Sequence, residues 1–169
     1  MIVLARNAVS AAALVTLLAV AAPPPASAQK AVFVVRHAEK VDESEDPLLS
    51  AKGKARAQVL ARHLKGAGIQ AIYVTEYKRT GLTAAPLAAA LGLKPIVVYA
   101  ADSPNLIGKI RENNAADAVL VVGHSNTLPD ILKRLGHPDA VEIAGNEYDS
   151  LFVVVPRPGS PPAVLRLKY

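Results

Sequence analysis

Ala31-Val32-Phe33-Val34-Val35-Arg36-His37-Ala38-Glu39-Lys40 is the stretch on which the fold turns. Its first five residues are β-branched or aromatic, apart from Ala31, with no polar residue between them. An unbroken apolar run of this length reads as a strand buried on both faces rather than one wetted on one side. The run stops at once at Arg36 and His37, so two strongly polar side chains leave the strand at its carboxyl end.

The same unit recurs along the chain. Val41–Leu49 is acidic, holds Pro47 and reads as a loop. Ser50 is a good N-cap, and Ala51–Lys65 carries Ala55, Val59, Leu60 and Leu64 at helical spacing, with Gly66 and Gly68 after it. Lys52, Lys54, Arg56, Arg62 and Lys65 mark the expected solvent face of that helix. They have no interleaved aromatics, so nucleic-acid binding is not expected. Ala71–Val74 is a second strand, and Thr80–Leu91 a helix ending at Gly92 and carrying Pro86, which predicts a kink. Pro95–Tyr99 is a third strand, Asn105–Asn113 a helix, Ala118–Val122 a fourth strand and Thr127–Leu135 a helix ending at Gly136. Ser150–Val155 and Ala163–Leu167 read as an antiparallel hairpin around a Pro/Gly turn. Four strand–helix units predict an α/β fold, a three-layer αβα sandwich with a mainly parallel sheet and a C-terminal antiparallel hairpin.

The N-terminal residues differ from the rest. Arg6 is the lone charge of Met1–Ala28; an apolar run follows, then Pro23–Pro25 and Ala26-Ser27-Ala28. A basic start, a short apolar run and an A-x-A site predict a secretory signal peptide cleaved after Ala28, an exported protein (periplasmic or secreted), and no stable membrane insertion once cleaved. Residues 29–169 form the expected single domain. The chain is 51% hydrophobic, and without Met1–Ala28 that share falls to about 47%, ordinary for a globular domain. Absence of cysteine excludes a thiolate metal site, an iron–sulfur cluster and a cysteine nucleophile. Oligomeric state is not written in the sequence.

Ligands of open α/β sheets bind beyond the carboxyl ends of the strands. Those ends carry Arg36-His37, then Thr75-Glu76-Tyr77-Lys78-Arg79, then Ala100-Ala101-Asp102-Ser103, then Gly123-His124-Ser125-Asn126. Two Arg and two His at one sheet edge make a cationic pocket, and guanidinium groups match phosphoryl oxygens as planar donors. A helix starting near Asn126 is expected to aim free N–H groups at the same place. An imidazole there can attack phosphorus, and the other donors can stabilise the transferred group. Nothing in this chemistry calls for a metal or another cofactor, and two arginines would repel a cation from His37 and His124.

Val34–Lys40 resembles the R-H-G/A signature of the histidine phosphatase (phosphoglycerate-mutase-like) superfamily. Leu49-Ser50-Ala51-Lys52-Gly53 resembles the L-[ST]-x-x-G that opens its first helix. Arg79-Thr80 with Thr83-Ala84 is similar to its R-[TA]-x-x-T-A segment, and Val122-Gly123-His124-Ser125 to the segment with its second histidine. Small size and the R-H-A form look most like the compact, phosphohistidine-phosphatase-like members. The resemblance implies that His37 is the nucleophile, that Arg36, Arg79 and His124 surround the phosphate, and that the substrate is a small-molecule or protein phosphoester. Lys40 and Glu43 stand where the family often has Ser or Thr and then Asn. The family's acid is a Glu after the third strand or an Asp after the second histidine. Ser125 takes the latter position, and Asp102 is nominated over Glu39, Glu76 and Glu112. His63 and His137 read as structural or solvated.

Two other classes compete. A phosphate-ligand binder without catalysis would keep the pocket and lack the acid. A serine hydrolase would use Ser125, since Gly123–Thr127 resembles G-x-S-x-G, but Thr127 crowds the turn and His137 alone follows. A mutase is disfavoured by the absence of an evident insertion for a second phosphoryl group.

Overall fold

The computed structural model describes residues 30–169, and the expected signal peptide, Met1–Ala28, lies outside the described residues. Strands and helices alternate as β1 (Ala31–Arg36), α1 (Ala51–Leu64), β2 (Ile69–Val74), α2 (Lys78–Leu91), β3 (Ile96–Val97), α3 (Ser103–Asn113), β4 (Ala118–Gly123) and α4 (Leu128–Arg134). β5 (Ser150–Arg157) and β6 (Ser160–Lys168) close the chain. The sheet order is β3-β2-β4-β1-β5-β6. β1–β4, β2–β4 and β2–β3 are parallel, whereas β1–β5 and β5–β6 are antiparallel. This is the expected α/β sandwich with its C-terminal hairpin. Among the described residues no helix is long and apolar enough to cross a membrane.

The central strands alternate between two cores because successive residues face opposite sides. Val32, Val34, Val119 and Val121 join Tyr73, Leu106, Ile110, Leu128 and Leu132 beneath α3 and α4. Val35, Leu120 and Val122 join Ile72, Leu60, Leu64 and Leu87 beneath α1 and α2. Both faces are covered, which is why β1 and β4 are apolar without interruption.

Local chemistry sets the helix ends. The Ser50 side chain accepts the Gly53 N–H at 3.1 Å, as an N-cap should. Gly53 also lies so close to the Glu39 backbone that a Cβ there would collide with the Glu39 carbonyl oxygen. The glycine of L-S-x-x-G thus lets α1 pack against the chain just past β1. Gly92 ends α2 in the left-handed conformation (φ 65°). α2 runs on through Pro86 to Leu91, although that ring withholds an N–H from the Leu82 carbonyl.

Two expectations need correction. β3 is two residues long, not five, because β2 pairs with it only at Tyr73–Ile96 and Val74–Val97 before the chain turns toward α3. Arg56 does not sit on the wet face of α1. It makes a two-pronged ion pair with Glu39 at 2.8–3.0 Å and donates to the Tyr169 carbonyl at 2.9 Å. Hydrogen bonding to Glu39 raises the Arg56 pKa, so Glu39 is committed to this tie.

Candidate active site

Register brings the two histidines together. β1 and β4 pair in parallel with Arg36 opposite Gly123, and the next residue on each strand is a histidine. The His37 N–H donates to the Gly123 carbonyl at 2.9 Å, and the His37 and His124 rings stand edge to face with centroids 5.3 Å apart. β2 pairs on the other side of β4, Val74 opposite Val122, which brings Thr75 level with the same edge. Thr75 Oγ1 lies 2.9 Å from His124 Nε2.

The partners fix the tautomers. His37 Nδ1 lies 2.8 Å from the Ala38 carbonyl oxygen. A carbonyl only accepts, so Nδ1 carries the hydrogen and Nε2 of the neutral ring is a free lone pair. His124 is the reverse. Its Nδ1 faces Arg79 Nη2 at 3.4 Å, and a guanidinium only donates, so the hydrogen is on Nε2 and goes to Thr75. The Thr75 hydroxyl then turns to Thr80 Oγ1 (3.1 Å), whose hydroxyl donates to the Tyr77 carbonyl (2.8 Å). Both rings are held neutral. Burial, then the charges of His124, Arg36 and Arg79, lowers the His37 pKa to about 3, against a raising effect of the Ala38 bond. Burial, then Arg79 and Arg36, lowers that of His124 to about 4.

Each arginine lies over a tyrosine. Arg36 sits 4.0 Å from the Tyr148 ring centroid and Arg79 4.3 Å from that of Tyr77. Arg36 Nη1 donates to the carbonyls of Ala144, Gly145 and Glu147 at 2.9–3.1 Å. That loop is anchored in turn. The Glu147 carboxylate binds Lys168 Nζ at 2.8 Å, Ser150 Oγ and Arg166 Nη2, and these bonds hold its pKa well below the usual carboxylate range. Arg79 is held more loosely, with Nη1 3.3 Å from the Glu45 carbonyl and 4.0 Å from the Asp46 carboxylate. Among the described residues neither Nε–H finds an acceptor. α2 is tied to the loop after β1 by Thr83, whose hydroxyl accepts the Ala38 N–H at 2.9 Å and donates to the Arg79 carbonyl at 2.7 Å. The second threonine of R-T-x-x-T-A therefore clamps Arg79 to the backbone beside His37.

A cleft of about 280 Å³ opens against Arg79 and His124, walled by Glu76, Tyr77, Ala100, Ala101, Asn126 and Thr127. Two fixed positive charges, two neutral imidazoles and this opening can hold a tetrahedral oxyanion.

The structure thus brings Arg36, His37, Arg79 and His124 together, as expected. It does not bring in Asp102, whose side chain caps α3 by accepting the Asn105 N–H at 3.1 Å. Ser125 lines a separate cleft with Pro129, Val141, Glu142, Ile143, Ala144 and Glu147, in which no histidine stands. Of the N–H groups near Asn126, those of Thr127 and Leu128 are occupied, donating to the His124 carbonyl at 3.1 and 3.0 Å. Lys40 and Glu43 pair with each other at 2.5 Å. Among the described residues no three His, Asp or Glu side chains are grouped as a metal site.

Sequence reasoning missed Tyr77, Tyr148, Thr75 and the carbonyls of Ala144–Glu147 as parts of the site. One signal was available. The chain has five Tyr and two Phe, so a tyrosine two residues before Arg79 is a rare choice.

The family model for the histidine phosphatase superfamily (branch 1) matches residues 32–101. No curated protein matches the chain by sequence. Among solved structures, the protein histidine phosphatase SixA complexed with tungstate is similar with a TM-score of 0.67 and 18% identity, over 82% of this chain and 96% of that one. The mycobacterial glucosyl-3-phosphoglycerate phosphatase Rv2419c is similar with a TM-score of 0.66 and 13% identity, over 83% and 98%. Its complex with inorganic phosphate gives 0.64 and 14%, over 83% and 96%. At these identities the likeness is one of fold. The motif-bearing segment, residues 32–101, is thus similar to the histidine phosphatase superfamily (branch 1), and the chain shares the fold of these solved phosphatases.

Proposed function

We propose that the chain is a phosphatase that hydrolyses a phosphomonoester through a phosphohistidine at His37. The observation that carries this is the state of His37: a buried neutral ring, its Nδ1–H held by Ala38, with Nε2 unprotonated beside two guanidiniums. Nε2 attacks phosphorus and the bond to the leaving oxygen breaks, with that oxygen taking the electron pair and a proton. Water then attacks phosphorus and the P–N bond breaks, its electron pair returning to Nε2 as phosphate leaves. Arg36, Arg79 and the polar edge of His124 balance the charge of the transferring group. With two guanidiniums in that role, the chemistry needs no metal.

The match of residues 32–101 to the histidine phosphatase superfamily model supports phosphatase chemistry through a histidine. The likeness to SixA, described as a protein histidine phosphatase, favours the compact, phosphohistidine-phosphatase-like reading, with a small molecule or a protein as the phosphoryl carrier. Export rests on Arg6, the apolar run and Ala26-Ser27-Ala28. N-terminal sequencing of protein recovered outside the cytoplasm is expected to begin at Gln29.

The test is a panel of phosphoesters with the purified protein, with acid quench to trap an acid-labile phosphoenzyme. Turnover and trapping are expected in the parent and neither in His37→Ala. Phosphate binding without turnover or trapping favours instead a phosphate-ligand binder, a reading helped by the helix-capping role of Asp102.

A further inference from the structure

An ester oxygen leaving phosphorus needs a proton, and Asp102, engaged as a helix cap, does not line the cleft beside Arg79 and His124. That cleft has one carboxylate among its walls, Glu76. Glu76 lies between Thr75, which bonds His124, and Tyr77, which underlies Arg79. Its side chain crosses to the loop after β3, where Oε2 accepts the Ala100 N–H at 2.8 Å. One oxygen is thereby anchored, and Oε1 has no hydrogen-bond partner among the described residues.

The other acidic groups near the site are held in ion pairs or lie off the cleft; Asp46 also stands 4.0 Å from Arg79 Nη1, and neither Asp46 nor Glu45 is among the cleft walls. Glu39 is bound to Arg56, Glu147 to Lys168 and Arg166, Asp46 to Lys78 and Glu43 to Lys40. Glu142 lines the other cleft, which touches neither arginine nor histidine of the site.

We infer that Glu76 is the proton donor of the reaction and that the 280 Å³ cleft takes the leaving group. The inference rests on the phosphatase reading above. In the first step His37 Nε2 bonds to phosphorus, the P–O bond breaks, and the Glu76 carboxyl proton moves to the departing oxygen, giving an alcohol, a Glu76 carboxylate and a phosphohistidine. In the second step water attacks phosphorus and gives a proton to Glu76, and the P–N electron pair returns to His37. The donor and the nucleophile come from two strand ends on either side of β4, so the leaving group is drawn toward β3 and away from the β5–β6 hairpin.

The test compares full-length parent and Glu76→Gln on two esters that differ in their need for a proton: phenyl phosphate, with a basic leaving group, and 2,4-dinitrophenyl phosphate, with a feebly basic one. Glutamine keeps the oxygen that accepts the Ala100 N–H and lacks the acidic proton. A positioned acid contributes about 10²–10⁴-fold, so kcat on phenyl phosphate should fall at least about 100-fold. The fall should be at least about 30-fold greater than that on the dinitrophenyl ester. An equal fall on both esters, or none on phenyl phosphate, overturns the role. Asp102→Asn should show no such selectivity, and selectivity there in place of Glu76→Gln would hand the role back to Asp102. If the parent hydrolyses neither ester and traps no phosphoenzyme, the phosphatase reading fails with it, an outcome distinct from an active parent with an indifferent Glu76 variant.

Discussion

The site is two arginine–histidine–tyrosine trios, Arg36 with His37 and Tyr148, and Arg79 with His124 and Tyr77, and they are built for different work. In the first, Arg36 is gripped by three carbonyls and His37 by one, and the loop that supplies the three is locked by Glu147. In the second, Arg79 has only long contacts and lies on the cleft with His124. A nucleophile gains from rigid aim, because misplacement by about 1 Å costs about 10²-fold. A group that receives and releases an anion gains from unused donors. In the proposed reaction the first trio supplies aim and the second supplies donors.

The sharpest break between them lies in the histidines. His37→Ala should remove turnover by 10⁴-fold or more and leave no phosphoenzyme, on the order of losing a covalent nucleophile. His124→Ala should lose about 10²–10³-fold, as for one charge-stabilising donor, and still trap phosphoenzyme. Acid-quench trapping of both variants checks this; trapping in His37→Ala alone would exchange the roles.

The arginines should separate stability from activity. Arg36→Ala leaves three partly buried loop carbonyls without their donor and is expected to cost about 1–3 kcal/mol in urea unfolding. Arg79→Ala, losing weaker and partly exposed contacts, should cost under about 1 kcal/mol while kcat/KM falls about 10²-fold. Equal destabilisation by both would erase the proposed division.

The smallest effect is in pH. Both histidine pKa values are lowered on folding, to about 3 and about 4, so as pH falls below about 6.5 the unfolded chain takes up protons first. Their contribution to stability is complete above that value and is lost progressively as pH falls toward the folded values. The urea midpoint should therefore drop between pH 6.5 and 4.5, before most carboxylates titrate. His37→Gln and His124→Gln should each flatten that slope, because each ring stays neutral in the folded chain across this range.

Where a residue's role followed from its neighbours in the chain, it was legible beforehand. Ser50 caps α1 and Gly92 closes α2 because both act on backbone groups within a turn. Asp102 was ambiguous for the same reason: an Asp ahead of Ser-Pro-Asn can cap a helix or serve a site, and local hydrogen bonding took it. Arg56 was misread because its partner, Glu39, lies outside its own helix, where the i, i+4 pattern gives no sign of it. The role of Tyr148 was out of reach, since its contact with Arg36 spans the whole sheet in sequence.

By itself the sequence determined the α/β alternation, the burial of β1 and β4 on both faces, and the delivery of Arg36, His37 and His124 to strand ends and of Arg79 to the start of α2. All of these follow from period, composition and backbone chemistry that act over a few residues. Only the tertiary structure decided that β4 inserts between β1 and β2, setting His37 beside His124 and Thr75 behind it. It alone decided which ring nitrogen is free and which carboxylate reaches the cleft. Those outcomes depend on register and on contacts between segments far apart in the chain, and both are fixed only when the sheet is assembled.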